Sequence, residues 1–215
     1  MNQRISKIIS ITALFLFIFV FQALAGTSLV EKFSTDEVRG EGPLPYNYRI
    51  IDENIHAGGH PLNPKTSFGN TNKEALVILN YLKSKGVRTI IDLENSWWIQ
   101  WHYKNLLKEA GIKRIHIPMS SSKVPDYEEW QMIKEFLREP VYIHCKWGAD
   151  RTGAIIARYL VEEKGYAPKE AWEAVITGGT HAGPIGGLKK GSLYKNLVLF
   201  FWPEAHEDKE FRECY

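Results

Sequence analysis

The sequence predicts an α/β domain with a mostly parallel central sheet flanked by helices, and two observations carry that expectation. Short apolar runs bounded by turn residues alternate with longer amphipathic segments from about residue 48 to residue 176. Such alternation requires right-handed crossovers onto a parallel sheet covered on both faces. The 215 residues are 44% hydrophobic and 24% charged, which suits one globular domain with a single sizeable core.

Taken in order, the chain begins with Arg4 and Lys7 ahead of an uninterrupted apolar run over residues 13–21. Ala23-Leu24-Ala25 then supplies small residues at the cleavage positions, so residues 1–25 read as a secretory signal peptide. The competing reading is an uncleaved membrane anchor, since residues 8–25 are nearly long enough to span a bilayer. The protein is therefore expected to be periplasmic or secreted, and to meet a membrane only if this segment stays attached. Cleavage would remove two bases and no acid, taking the formal charge of +2 to zero.

Residues 26–46, with Gly40, Gly42, Pro43 and Pro45 and no apolar period, are expected to form a linker into a domain spanning residues 47–215. Within it the pattern predicts a strand over residues 48–51 and a turn over residues 57–61. A helix over 74–85, stopped by Gly86, precedes a strand over 87–93. Next come a helix over 98–110 stopped by Gly111, a strand over 114–118, a helix over 127–138 and a strand over 141–144. Helices over 152–164 and 168–176 lead through a glycine-rich connection, residues 177–191, to a last helix ending before Pro203. There is no internal repeat and no second domain.

Composition excludes several classes. Lys+Arg 27 against Asp+Glu 25 leaves no electrostatic footprint for nucleic acid, and two cysteines exclude a disulfide scaffold or a cysteine-rich zinc module. Of the seven histidines only His56 and His60 are close in sequence, with no third ligand at a metal-binding spacing, so neither a metal nor a cofactor is expected.

The chemistry concentrates in His144-Cys145-Lys146-Trp147-Gly148-Ala149-Asp150-Arg151-Thr152-Gly153, between an apolar strand and an apolar helix. A strand, a tight turn and a helix start form an anion site, because successive N–H groups converge while the helix N-terminus adds about half a positive charge. Residues 146–151 would bind the phosphate, with the planar fork of Arg151 holding two oxygens. The same surroundings favour the thiolate of Cys145, making it a nucleophile. The bland alternative, a small buried core cysteine beside a solvated arginine, does not account for the two together.

His-Cys-x5-Arg-Thr-Gly resembles the phosphate-binding signature of the cysteine-based protein tyrosine phosphatase superfamily, matching at His144, Cys145, Gly148, Arg151, Thr152 and Gly153. The order of strands and helices from about residue 48 to 176 is closest to the compact atypical dual-specificity phosphatases, and residues 55–61 weakly resemble their Tyr-Arg-Ser-Gly-Gln-Pro segment. The resemblance implies a phosphocysteine intermediate on Cys145. It also implies a Thr152 hydroxyl bonded to the cysteine sulfur and a supporting role for His144 in fixing the loop.

Two aspartates compete as the general acid that protonates the leaving group. Asp126 lies on the loop after the 114–118 strand, and Val124-Pro125-Asp126 resembles the Trp-Pro-Asp of tyrosine phosphatases. Asp126 with Glu129 is equally a capping box, and Ser120, Ser121 and Ser122 stand where several relatives place the acid. Asp150 is slightly preferred, because Cys-x-x-Gly-x-Asp-Arg-Thr resembles the myotubularins and a group of bacterial tyrosine and lipid phosphatases with the acid inside the loop. Its alternative role is to accept a loop-stabilising hydrogen bond.

Lys146 and Trp147 occupy variable loop positions, and a cation there suits a multiply anionic substrate, although a solvated rim charge is the commoner reading. Trp97, Trp98 and Trp101 are expected to be core residues, with stacking on a substrate ring as the alternative. Residues 177–191 are expected to be a surface connection, with a flexible wall over the substrate as the alternative. Cys214 is expected to be inert, a redox pair with Cys145 being the minor alternative.

The reading is a phosphate monoesterase acting on phosphotyrosine, with phosphoserine and phosphothreonine as further protein substrates. The alternatives are a phosphoinositide or inositol phosphate phosphatase with the same mechanism, an inactive phosphate-binding module, and a rhodanese-like sulfurtransferase, whose loop is usually one residue shorter.

Overall fold

The computed structural model describes residues 30–215, so the signal-peptide and anchor readings of residues 1–25 lie outside the described residues. Among the described residues six strands are present: β1 (Glu31–Lys32), β2 (Arg49–Ile50), β3 (Ile55–Gly59), β4 (Thr89–Asp92), β5 (Lys113–His116) and β6 (Val141–Cys145). They form one sheet in the order β1-β2-β3-β6-β4-β5. The four strands β3, β6, β4 and β5 pair in parallel, with Ile91 opposite both Ile143 and Ile115, while β1 and β2 add an antiparallel edge.

The helices are α1 (Asn72–Ser84), α2 (Trp97–Ala110), α3 (Tyr127–Phe136), α4 (Asp150–Lys164), α5 (Pro168–Val175), α6 (Lys195–Leu199) and α7 (Lys209–Cys214). Helix α1 starts in a Thr71–Glu74 capping box, and α2 ends where Gly111 turns left-handed at φ 67°. Helix α7 extends past the point where the sequence pattern ends the last helix. Among the described residues no helix is long and apolar enough to cross a membrane.

The sheet divides two apolar layers. One holds Trp130, Ile155, Trp172 and Leu160; the other holds Ile78, Leu79, Tyr103 and Leu107. Along β6 the period of two assigns Val141, Ile143 and Cys145 to the first layer and Tyr142 to the second. Cys145 therefore lies at the C-terminal end of a central strand with its side chain toward α4.

Two expectations are corrected. Residues 31–46 are not a linker: Glu31 and Lys32 pair with β2, Val38 and Leu44 are buried, and the Asn70 side chain binds the Gly40 carbonyl. Isolated apolar side chains among turns carry no period, yet two of them fill gaps in the second core. Residues 57–59 are not a turn but the end of β3, fully buried against β6. Their glycines suit close approach, since a Cβ on Gly58 would meet the Tyr142 hydroxyl at 2.6 Å and one on Gly59 the Lys146 carbonyl at 3.1 Å.

Candidate active site

Five buried residues of β6 deliver the chain to a four-residue turn, residues 146–149, and α4 begins at Asp150. Gly148 has φ +66°, and a Cβ there would run into the Gly58 carbonyl, so the turn lies directly on the end of β3. The three carbonyls of residues 146–148 all point outward to donors. The Lys146 carbonyl accepts from the His60 N–H at 3.1 Å and Asn63 Nδ2 at 2.7 Å. The Trp147 carbonyl accepts from Asn47 Nδ2 at 3.3 Å, and the Gly148 carbonyl from Arg49 Nη1 at 2.6 Å.

In a trans peptide the N–H points opposite to the preceding carbonyl. Turning those carbonyls outward therefore turns the N–H groups of Trp147, Gly148 and Ala149 inward, and none of the three donates to a protein group. The result is a concave set of donors at the N-terminus of α4, suited to an anion.

Cys145 is buried beneath this turn as a free thiol. Two guanidinium groups bear on its sulfur. One is Arg151, the arginine of the sequence motif, and the other is Arg49. The sequence pattern does not mark Arg49, which is entirely buried, held by the Asn47, Gly148 and His181 carbonyls. Burial lowers the pKa of Arg49 to about 10 while the Cys145 sulfur opposes that shift, so Arg49 stays cationic at neutral pH. For Arg151 burial also acts against the charge, but attraction to Cys145 and to Glu94 outweighs it and the pKa is raised.

Arg151 is aimed by acceptors at the ends of β4 and β5. Nη2 donates to Glu94 Oε2 at 3.0 Å, and Nη1 to the Leu93 and Met119 carbonyls and Asn95 Oδ1. Ser120, Ser121 and Ser122 follow Met119 directly and fold into a turn on the Ser120 hydroxyl, which binds the N–H groups of Ser122 and Lys123. Glu94 and Asn95 were missed by sequence reasoning. The available signal was an acidic pair, Asp92 and Glu94, at the C-terminal end of an apolar strand, where sites on parallel sheets are built.

His144 faces the opposite layer. Its Nε2 meets the Tyr103 hydroxyl at 2.9 Å and lies 3.8 Å from Asp92 Oδ1, while Nδ1 approaches the Cys145 carbonyl at 3.3 Å. Burial lowers its pKa despite Asp92, so it is a neutral ring that ties the cysteine backbone to the core. Ligand atoms of His60, Asp92 and His144 lie within 4.8 Å of one another, a cluster that spacing along the chain did not reveal. Both Asp92 oxygens are already engaged, one by the Glu94 N–H and one by Arg114 at 2.5 Å. Through these bonds Asp92 and His144 form part of the hydrogen-bonded support beneath the loop.

Thr152 departs from expectation. Its hydroxyl is buried without any hydrogen-bond partner, so the expected bond to the cysteine sulfur is not made. One residue beyond Arg151, it enters the interior of α4 among Gly153, Ala154 and Ile155, all buried.

The two aspartates separate clearly. Asp126 is exposed and caps α3, accepting the Glu129 N–H at 2.8 Å while Glu129 returns a bond to its own N–H. Asp150 opens α4 and borders a groove of about 320 Å³ beside the loop, lined also by Tyr46, Lys65, Trp147, Ile185 and Lys189. Burial raises the Asp150 pKa, countered by the Lys189 N–H that its carboxylate accepts at 3.0 Å. Residues 185–189 thus form a wall of this groove, closer to the alternative reading of the glycine-rich segment than to a plain connection.

A cysteine under a ring of inward amides, with two arginines bearing on its sulfur at the end of a parallel strand, is an arrangement suited to holding an oxyanion against that sulfur. The comparisons agree. Residues 69–165 match the family model described as "Polymorphic toxin system, DSP-PTPase phosphatase". The chain is 28% identical over 112 residues to the dual specificity protein phosphatase TpbA of Pseudomonas aeruginosa, covering 50% of this chain and 48% of TpbA. It is 23% identical over 145 residues to the mouse phosphatidylglycerophosphatase and protein-tyrosine phosphatase 1, covering 64% of this chain and 69% of that protein. The crystal structure of PTPMT1 in complex with PI(5)P superposes with TM-score 0.52 at 20% identity, covering 74% of this chain and 97% of that one. The match spans about half the length of TpbA. The chain resembles the compact bacterial and atypical dual-specificity branch of the cysteine-based protein tyrosine phosphatases, and it shares their fold.

Proposed function

We propose that this protein hydrolyses phosphate monoesters through a phosphocysteine on Cys145. The thiolate forms an S–P bond as the ester P–O bond breaks, and the departing oxygen takes a proton from Asp150. Water then attacks phosphorus and returns a proton to Asp150, and the S–P bond breaks to release phosphate and the thiolate. Charge on the phosphoryl oxygens is met by the inward amides and by Arg151. The observation that supports this most is the outward anchoring of three successive loop carbonyls by Asn63, His60, Asn47 and Arg49.

Phosphotyrosine in proteins is the leading substrate, with phosphoserine and phosphothreonine beside it, a reading supported by the dual-specificity description of TpbA. A second reading, a phosphoinositide or inositol phosphate, is favoured by Lys65 and Lys189 on the groove and Lys146 on the loop, and by the PI(5)P complex of PTPMT1. The N-terminal pattern of residues 1–25 supports export to the periplasm or beyond, checked by sequencing the N-terminus of the mature protein.

The test is an aryl phosphate assay with wild type and Cys145→Ser, together with acid quenching during turnover of ³²P-labelled substrate. The expected result is labelled phosphorus on wild-type protein, and neither label nor turnover with the serine variant. Turnover unaffected by Cys145→Ser would refute the mechanism. Values of kcat/KM for a phosphotyrosine peptide, a phosphoinositide and an inositol phosphate then choose the substrate.

A further inference from the structure

Three tryptophans that helical spacing assigns to the core are instead in solvent. On the first turn and a half of α2, Trp97 is 84% exposed, Trp98 55% and Trp101 76%, while Ile99, Tyr103, Leu106 and Leu107 supply the buried face. Neighbouring exposed tryptophans on a folded chain mark a contact surface, because each ring carries a large apolar area that water solvates poorly.

Two features of the patch say what it contacts. First, the exposed stripe continues from Trp97 and Trp101 to Lys104 and Lys108, and α2 holds no acidic residue before Glu109. Amphipathic rings followed by cations on one helix side complement the headgroup level of an anionic bilayer. Secondly, the patch is continuous with the rim of the phosphate loop. The Trp98 ring packs edge-on against Phe68 at 5.1 Å, and Lys146 Nζ lies 5.1 Å from the Phe68 ring centre and 6.0 Å from that of Trp147. Asn95, two residues before Trp97, accepts a hydrogen bond from Arg151 at 3.2 Å.

We propose that Trp97, Trp98 and Trp101 form a membrane-docking surface that seats in the headgroup layer of an anionic phospholipid bilayer and turns the mouth of the phosphate loop toward it. This contact is separate from residues 1–25 and operates whether or not they are removed. Docking is independent of catalysis. Only its corollary, that the ester hydrolysed is a phosphate monoester borne on a lipid headgroup, rests on the phosphatase reading.

The test compares the full chain with Trp97→Ala/Trp101→Ala, both carrying the same N-terminus, on vesicles of phosphatidylcholine with and without phosphatidylglycerol. Both substituted residues are exposed, so the fold and aryl phosphate turnover are expected to persist. Wild type is expected to bind the phosphatidylglycerol vesicles with blue-shifted emission that brominated lipid quenches. The variant should bind about tenfold more weakly and lose that quenching. Equal binding and equal quenching of variant and wild type would overturn the proposal. So would a wild-type protein that ignores vesicles but forms a dimer that the double variant abolishes, which would assign the patch to a second copy. Tryptophan insertion by a protein inactive on every phosphate ester would support docking while ending the proposed function.

Discussion

Glu94 and Arg151 form a buried ion pair, with Arg151 Nη2 3.0 Å from Glu94 Oε2 and the carboxylate side chain 1% exposed. The second Glu94 oxygen accepts from Ser96 Oγ at 2.6 Å and from the Ser96 N–H, so the acid is itself immobilised. A rigid carboxylate behind a rigid guanidinium fixes where the fork of Arg151 points, the fork that in the proposed mechanism holds the phosphoryl oxygens.

Glu94→Gln should therefore act through Arg151. The amide keeps the shape but removes the charge, and misplacing a positioned group by about 1 Å can cost on the order of 10² in rate. The expected result is a fall in kcat of roughly 10- to 100-fold, with iodoacetamide still alkylating Cys145. Unchanged kinetics would mean that the three other acceptors of Arg151 are enough to aim it.

Asp150 and Asp126 are separable by leaving group. A positioned acid contributes about 10² to 10⁴ in rate where the departing oxygen needs a proton. Asp150→Asn should lower kcat by that order on an alkyl phosphate and far less on an activated aryl phosphate, while Asp126→Asn should mainly weaken the cap of α3. Because burial raises the Asp150 pKa, its proton is retained to higher pH than on an exposed aspartate. The alkaline limb of kcat on the alkyl ester should accordingly be absent in Asp150→Asn. If leaving-group dependence follows Asp126→Asn instead, the acid is on the loop after β5.

Gly148→Ala tests the seating of the loop on β3. The residue needs φ +66°, and the added Cβ meets the Gly58 carbonyl. Left-handed backbone and overpacking together should lower stability by about 2–4 kcal/mol. Turnover should be lost even at temperatures where circular dichroism shows a folded chain, because the three inward amides move with the loop. A variant with native turnover and native urea midpoint would show that the loop tolerates a different path.

Stability should fall with mild acid. Burial lowers His56 and His181 to about 4, and it lowers His60 and His144 as well. Above the ordinary histidine pKa, about 6.5, both folded and unfolded chains are neutral at these sites and nothing is lost. Below it the unfolded chain takes up protons that the folded one refuses, so stability declines from pH about 6.5 down through about 4. Urea midpoints at pH 7.5, 6 and 5 should descend in that order, and His56→Gln should flatten the slope. A flat profile in the wild type would show that these rings are protonated in the fold.

Sequence alone determined the elements whose signals are local. The apolar run of β6 followed by Cys145-x5-Arg151 announces a strand, an anion-binding turn and a helix start. Asp126 with Glu129 announces a cap, and Gly111 a helix stop, because hydrogen bonds within four residues decide them.

What only the tertiary structure decided is which distant groups complete the loop. Arg49 lies 99 residues from the carbonyl it binds, Asn63 83 from its own, and Glu94 57 from Arg151. None carries a pattern of its own, since a lone polar residue at a strand end looks alike whether it faces solvent or a neighbour's backbone. The tryptophans of α2 show the same limit from the other side: spacing tells which residues share a helix face, but only the packing of the sheet beneath decides which face is covered.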